Sequence, residues 1–427
     1  MHKPGNNWGL EQWLYDLENR NTQEIQLGLT RIREVAEKLH ILNPECKIIT
    51  VGGTNGKGST VCALETIYFK AGYQVGSYSS PHLLHFNERI KINLEPVNDI
   101  DLCTFFKIID EARGKIVLTY FEFITLAALL CFNQQKLDVI IVEVGLGGRL
   151  DATNIIDADL SIITTIDYDH QEYLGTTLEA IAYEKAGILR QGRPFIYADT
   201  CPPESILKVA QELGVKSYFY GRDFYFNEYT DSFELIVLKD KIKLDKPKIH
   251  LKSASAAVVA CLLLQSKLPV AHNFIDEALR ELFIPGRLQL IKGPINLLYD
   301  VSHNAQSAQL LAQYISGLKC AGRVHAIFSA LKDKDILGII YPLKDCVDLW
   351  YPAQLDNKRA LNVDEMLHVF KEAKFDVSTS YTSPLTAFNT ALSRAKSGDL
   401  IVVYGSFFTV SQVMAVQNNV LEQKESI

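Results

Sequence analysis

The chain has 427 residues, 48% of them apolar and 22% charged, with 25 Gly and 14 Pro. This composition excludes a disordered, low-complexity or collagen-like chain and, at roughly 100–200 residues per domain, predicts two or three domains with cores of their own. Asp and Glu number 50 against 43 Lys and Arg, a net charge of −7, so there is no general attraction to nucleic acid or anionic lipid.

Residues 1–7 lack the apolar run of a signal peptide, and the longest apolar stretches, near 124–132 and 256–264, fall short of the roughly 18 residues of a membrane span. The eight cysteines stand singly, mostly in apolar runs, with no C-x-x-C pair. They read as reduced core thiols of a cytoplasmic protein.

Apolar residues at helical spacing (Leu10, Trp13, Leu14, Leu17, then Ile25, Leu29, Ile32, Val35, Leu39) precede a short strand-like run at 48–51. A glycine-rich turn opens into a helical pattern over 61–70. Runs at 138–144, 160–166 and 194–198 read as strands alternating with helices, which implies a parallel sheet covered on both faces. Tyr- and Phe-rich stretches at 217–220, 224–226 and 233–238 read as one small antiparallel appendage. Helices follow at 253–264 and 274–282, and Pro285-Gly286 marks a hinge. Strands at 295–301, 324–329, 349–351 and 400–404 then alternate with helices at 305–317, 362–372 and 384–396. The expected fold is α/β: a P-loop-type, mostly parallel sheet domain with an antiparallel appendage over 1–285, and a smaller Rossmann-like α/β domain over 286–427.

The strongest chemical signal is Gly52-Gly53-Thr54-Asn55-Gly56-Lys57-Gly58-Ser59-Thr60, between a strand and a helix. Glycines there let backbone N–H groups converge on phosphate oxygens, the helix N-terminus adds partial positive charge, Lys57 adds a full one, and a hydroxyl can reach Mg²⁺. The generic G-x-x-x-x-G-K-[ST] pattern is not met, because Gly58 separates Lys57 from Ser59. The apolar run at 139–142 delivers Glu143 to the end of a strand where parallel sheets bind ligands, which suits a magnesium ligand, although many buried strands also end in an acid. Gly145 to Asn154 is rich in glycine and polar groups, consistent with a site loop. His170, after the 160–166 strand, is either a metal ligand or a solvated histidine. Arg287 and Asp300, near the hinge, are either nucleotide contacts across an interdomain cleft or an interdomain salt bridge.

Taken together, Gly53 to Ser59, Tyr78-Ser79-Ser80-Pro81-His82-Leu83, Thr119-Tyr120-Phe121-Glu122-Phe123, Glu143 to Asn154, Asp169-His170, Glu184-Lys185-Ala186-Gly187, Pro285-Gly286-Arg287, Asp300-x-x-His303-Asn304 and Gly405-Ser406-Phe407 resemble the bacterial folylpolyglutamate synthase/dihydrofolate synthase family of Mur-type ligases. The resemblance covers nearly the whole chain, and the inserted Gly58 is that family's own form of the loop. It implies ATP-dependent amide formation between a folate-type carboxylate and L-glutamate. The acceptors implied are dihydropteroate and reduced folates, and ADP and phosphate are the by-products.

By that resemblance Asn55, Gly56, Lys57, Gly58 and Ser59 hold the triphosphate, and Ser59, Ser80, Glu143 and His170 are magnesium ligands, with two sites implied. Lys57, Lys185, His170 and Glu143 carry the chemistry, and Lys185 matches a lysine that bears a carbamate. Asn19, Arg20, Asn21, Thr119, Tyr120, Phe121, Glu122, Leu150, Asp151 and Ala152 match pterin-binding segments. Ser253, Arg287 and Asp300 match nucleotide contacts, and His303 and Ser406 lie toward the incoming glutamate. Three positions depart from the family pattern: Ser253 stands for Asn, Ala305 for Pro and Gln26 for Asp. The competing readings are a cell-wall Mur ligase, for whose extra N-terminal domain the 51 residues before Gly52 are too few, and a nucleotide-gated binding protein without ligase activity. The expected partners are small molecules only, with no nucleic acid and no membrane, and the expected state is a monomer.

Overall fold

The computed structural model describes residues 8–20, 25–318, 320–377 and 379–425, which fall into two compact units, 8–82 with 86–282, and 83–85 with 283–425. The first is built on eight strands: β1 (Lys47–Gly52), β2 (Val75–Tyr78), β3 (Ile90–Ile92), β4 (Glu95–Pro96), β5 (Val139–Glu143), β6 (Leu160–Ile163), β7 (Phe195–Tyr197) and β8 (Ser217–Phe219). Their order across the sheet is β4-β3-β2-β5-β1-β6-β7-β8. The six strands from β2 to β8 run parallel, and β3 and β4 add an antiparallel edge. Every residue of β5 and β6 is buried, as the continuous apolar runs of a sheet covered on both faces require.

Register places Val51 beside Glu143 and Gly52 beside Ile163, while Tyr78 pairs with Val142. The carboxyl ends of β2, β5, β1 and β6 therefore lie side by side along one edge, the usual ligand edge of such a sheet. The Lys57–Lys70 helix follows β1 and buries Val61, Leu64, Ile67 and Tyr68. Its buried Glu65 accepts hydrogen bonds from Ser77 Oγ and from Lys91 Nζ (3.1 Å), tying the helix to β2 and β3.

One expectation is corrected. Residues 217–219 form β8 and pair in parallel with β7, so they extend the main sheet instead of joining the appendage. The Glu204–Glu212 helix between β7 and β8 supplies the crossover that parallel pairing needs. The appendage is three strands, β9 (Phe224–Glu228), β10 (Ser232–Val237) and β11 (Asp240–Asp245), all antiparallel. All eight cysteines are free thiols; Cys131 and Cys261 are buried, Cys46, Cys103, Cys320 and Cys346 pack partly buried against the cores, and Cys201 is exposed, so the core reading fails for Cys201.

The second unit has five strands, β12 (Gln289–Ile291), β13 (Asn296–Tyr299), β14 (Val324–Phe328), β15 (Leu349–Pro352) and β16 (Leu400–Tyr404), in the order β12-β13-β16-β14-β15. All pairs but β12–β13 are parallel. Adjacent β13 and β16 lead into 300–304 and 405–407, so those segments share one edge of this sheet.

Candidate active site

The turn after β1 has the backbone of a phosphate cradle. Gly53 (φ +138°) and Gly56 (φ +86°) occupy conformations that L side chains rarely adopt, and a Cβ on Gly53 would overlap Thr164 Oγ1. The turn is latched to the residues that leave β6. Thr54 N donates to Thr165 O (2.8 Å), Asn55 N to Thr165 Oγ1 (3.0 Å) and Asp167 N to Thr54 Oγ1 (3.0 Å). Buried Ser253 donates to Gly56 O at 3.4 Å, which sets it against the loop. The N-terminus of the Lys57–Lys70 helix thus faces the ligand edge with its first N–H groups and the positive end of its dipole.

Two cations adjoin this turn. Lys57 Nζ donates to Gly53 O and Thr54 O, both at 3.1 Å, and Lys185 Nζ donates to Gly53 O at 2.9 Å. Lys185 is only 5% exposed. Burial pulls its ammonium down to about 7, the like charge of Lys57 pulls the same way, and Asp169 and Asp151 oppose. A solvated helix cation is thereby excluded.

Glu143 ends β5, and Ser80 N donates to its Oε2 at 3.3 Å. A Cβ on Gly58 would lie 3.5 Å from the same oxygen, so the carboxylate stands over the loop. His170 has left-handed backbone (φ +51°) and starts the Gln171–Leu174 helix, with Nε2 3.9 Å from Asp169 Oδ2. Among the described residues no three His, Cys, Asp or Glu side chains cluster closely enough to hold a metal ion. Hydroxyl, carboxylate and imidazole donors of this kind suit magnesium only where phosphate oxygens and water complete the shell.

Thr119 caps the Tyr120–Asn133 helix with Glu122 in a reciprocal capping box. Glu122 Oε2 accepts from Thr119 N at 2.7 Å and Oε1 from Arg31 at 3.0 Å, so this buried carboxylate is fixed at both oxygens. The Phe121 ring fills the space over Gly145, where a Cβ would collide with it. Tyr120 lies 5.9 Å below the Arg89 guanidinium, and burial raises its hydroxyl to about 12. Asp151 is a buried cap that accepts from Leu146 N (2.8 Å), Thr153 N (3.0 Å) and Thr153 Oγ1 (2.6 Å), while burial raises its carboxyl. Leu150 is 41% exposed and Ala152 is buried.

Of the expected pterin-binding residues 19–21, two are described. Asn19 donates to Tyr15 O (2.7 Å), Arg20 is paired with Asp16 and Asp110, and Asn21 lies outside the described residues. Residues 26–31 contact both of the other segments expected to bind the pterin. Gly28 N donates to Leu150 O (3.4 Å), and Arg31 bonds Gln26 O (2.7 Å) as well as Glu122. These contacts join residues about 90 or more positions apart in sequence and have no local signature.

In the second unit Asp300 Oδ2 accepts from Leu288 N (2.8 Å) and Oδ1 from Ser302 N (2.9 Å), so the carboxylate shapes its own turn. Phe407 is a shared platform: the Arg287 guanidinium lies 5.1 Å over its ring and the His303 ring 6.0 Å away. Buried Ser406 pairs with Thr409 Oγ1 (2.7 Å) at the start of the last helix.

Residues 51–244 match the Mur ligase middle domain, and residues 286–407 match the Mur ligase glutamate ligase domain. The dihydrofolate synthase/folylpolyglutamate synthase of Escherichia coli K12 is 40% identical over 95% of both chains. The chain belongs to the dihydrofolate synthase/folylpolyglutamate synthase family. Its Bacillus subtilis member is 29% identical over 91% of this chain and 94% of its own. Among solved structures of the family, E. coli FolC in complex with DHPP and ADP superposes with a TM-score of 0.94 at 38% identity, covering 98% of this chain and 99% of that one. A bifunctional folylpolyglutamate synthase/dihydrofolate synthase with Mn, AMPPNP and L-glutamate bound gives 0.90 at 39% identity, covering 98% and 100%. No helix of the described residues is long and apolar enough to cross a membrane.

Proposed function

We propose that the protein is an ATP-dependent carboxylate–amine ligase that adds L-glutamate to dihydropteroate and to reduced folates, with ADP and phosphate as by-products. The observation that carries this reading is the meeting, at one edge of the main sheet, of a phosphate cradle, the Ser80–Glu143 pair and two cations on one carbonyl. Membership of the family and the ligands named for its solved members support the same reading.

A carboxylate does not acylate an amine at neutral pH, because the leaving group would be oxide. Phosphorylation of the folate carboxylate by ATP gives an acyl phosphate, which the glutamate amine attacks, so the enzyme's work is positioning and charge neutralisation. In this reading the N–H groups of Asn55, Gly56, Gly58 and Ser59 and the Lys57 ammonium bind the triphosphate. Lys57 turns from its two carbonyls to phosphate oxygens. Ser59, Ser80, Glu143 and His170 would hold two magnesium ions, which supply further neutralisation of phosphate charge. Ser253, Arg287 and Asp300 contact the nucleotide, and His303 and Ser406 serve the incoming glutamate.

Thr119, Tyr120, Phe121 and Glu122, with Leu150, Asp151 and Ala152, form the acceptor site, and the contacts of residues 26–31 add them to it. Arg20 acts at its border. Lys185, half neutral near pH 7, takes up CO₂ with loss of a proton, and the resulting carbamate exchanges a cation for a metal-binding anion. The domains are proposed as 1–285 and 286–427, in a cytoplasmic monomer without nucleic-acid or membrane partners.

The test is phosphate release from ATP by the purified protein, with dihydropteroate or a reduced folate, with and without L-glutamate. Release is expected only when acceptor and glutamate are both present. Release indifferent to both overturns the ligase and leaves a nucleotide-gated binding protein. Turnover of folate but never of dihydropteroate removes the first of the two activities.

A further inference from the structure

The segment from Gly145 to Asn154 lies against the end of the helix that carries Lys185, backbone to backbone. Arg149 N donates to Glu184 O at 2.8 Å. A Cβ on Gly148 would lie 2.9 Å from Lys185 O, and one on Gly187 would overlap the backbone of Arg149. No side chain fits between the two segments, so beyond the Arg149–Glu184 backbone bond the side-chain contribution comes from beside the contact.

Asn154 does this with all of its amide. Nδ2 donates to Arg149 O (3.0 Å) on one segment and to Gly187 O (3.1 Å) on the other, while Oδ1 accepts from Arg190 NH2 (2.8 Å). Both neighbours of Nδ2 are acceptors and the neighbour of Oδ1 is a donor, so only one orientation of the amide satisfies them. The residue is buried, and Arg190 NH1 also donates to Gly187 O (3.2 Å). The staple joins the turn before Leu150, Asp151 and Ala152 to the turn after Lys185.

We propose that Asn154 is a positioning residue: its amide fixes the end of the Lys185 helix against the Gly145–Asn154 segment, and so holds the Lys185 side chain at the phosphate loop in register with the acceptor segment. The inference rests on the ligase reading of Lys185. It involves no contact with substrate; Arg149 and Arg190 also bridge the two segments, and the Asn154 amide donates to a carbonyl on each side at once. Aspartate cannot replace it, because a carboxylate would face two carbonyl oxygens with no hydrogen to donate. Alanine would remove the side-chain donor to Arg149 O and one of the two donors to Gly187 O, leaving Gly187 O with Arg190 NH1 (3.2 Å) and Arg190 NH2 with the carbonyls of residue 154 and Ile156.

The experiment is a double-mutant cycle on the full chain, read as glutamate-dependent ADP release, with Asn154→Ala, Lys185→Ala and the double variant. Asn154→Ala is expected to lower kcat at least tenfold and to change the KM for ATP by less than threefold, since the 53–59 loop is latched to Thr164 and Thr165 and not to Asn154. In the Lys185→Ala background the same change should cost less than threefold, because its target is gone. Losses that multiply in the double variant, or a KM for ATP that rises as kcat falls, overturn the proposal and make Asn154 a general structural residue. Full activity of Lys185→Ala would overturn the ligase reading of Lys185 and the proposal with it, whereas multiplying losses beside a crippled Lys185→Ala would overturn the proposal alone. Where Asn154→Ala does not fold by circular dichroism, Asn154→Ser, which keeps one donor, takes its place in the cycle with the same outcomes.

Discussion

Lys57 and Lys185 share one acceptor, the carbonyl oxygen of Gly53, at 3.1 and 2.9 Å. Their nitrogens are therefore no farther apart than the sum of those distances, and two full positive charges so close, one of them buried, repel. The arrangement calls for an anion. In the proposed function a triphosphate would answer it for Lys57 and a carbamate for Lys185.

Lys57→Ala is expected to lower ligation by about 10²–10³-fold, the usual effect of removing a group that neutralises charge in the transition state. The fold should survive, because Lys57 begins its helix and its bonds are to loop carbonyls that water can also serve. Steady-state ADP release together with a thermal melt checks both halves. Near-normal turnover by a folded variant would remove the phosphate loop from the mechanism.

Lys185→Ala should lose most of the ligation rate, and formate or acetate should restore part of it by supplying carboxylate oxygens. Arginine should be no better than alanine, since it forms no carbamate. Wild-type turnover by Lys185→Arg would mean that the position provides positive charge or nothing.

The depressed Lys185 also makes stability depend on pH. Between its folded value of about 7 and its ordinary value of 10.5, the unfolded chain binds more protons than the native one, so this group makes stability rise with pH across that window, by at most about 1.4 kcal/mol per pH unit. Below about 7 both states are protonated and its slope vanishes. Urea unfolding of the wild type and of Lys185→Met, at low CO₂ from pH 6 to 10, should show the slope only in the wild type. Identical pH profiles would mean that Lys185 titrates normally.

Gly53→Ala is expected to cost about 1–3 kcal/mol in stability, the order of a strained non-glycine backbone conformation, with further loss from the overlap with Thr164. ADP binding followed by calorimetry should be lost with it. Unchanged ADP affinity would show that the loop tolerates a different path.

Arg31→Ala should raise the KM for dihydropteroate by roughly tenfold, the scale of one hydrogen bond to a charged group, and leave the KM for ATP unchanged. A change in the KM for ATP alone would detach residues 26–31 from the acceptor site.

What could be read in the sequence follows the range of the forces involved. The Ala305–Gly317 helix and β16 were readable to the residue, because their apolar periods are strong and local. β2 was not: Val75-Gly76-Ser77-Tyr78 has a weak strand signal, and Gly76 is explained only by the Phe132 and Leu137 side chains that leave no room for a Cβ. In the site, the loop, Glu143 and Lys185 carried legible motifs. The latch of Asn55 to Thr165, 110 positions on, and the pairing of Arg31 with Glu122, 91 positions on, had no local signature.

The four segments that meet over the loop leave β2, β5, β1 and β6, which are four adjacent strands in the middle of the sheet but are dispersed from residue 79 back to 53 and on to 167 along the chain. Among the described residues the loop's latches run to these central strands, so loss of the binding site by unfolding is coupled to opening of the middle of the sheet and not to one peripheral segment. Nucleotide at a hundredfold excess over its dissociation constant would therefore add its full linkage energy, about 2.7 kcal/mol, to the cooperative unfolding of the sheet. Substrate supply then also governs how long the enzyme resists proteolysis.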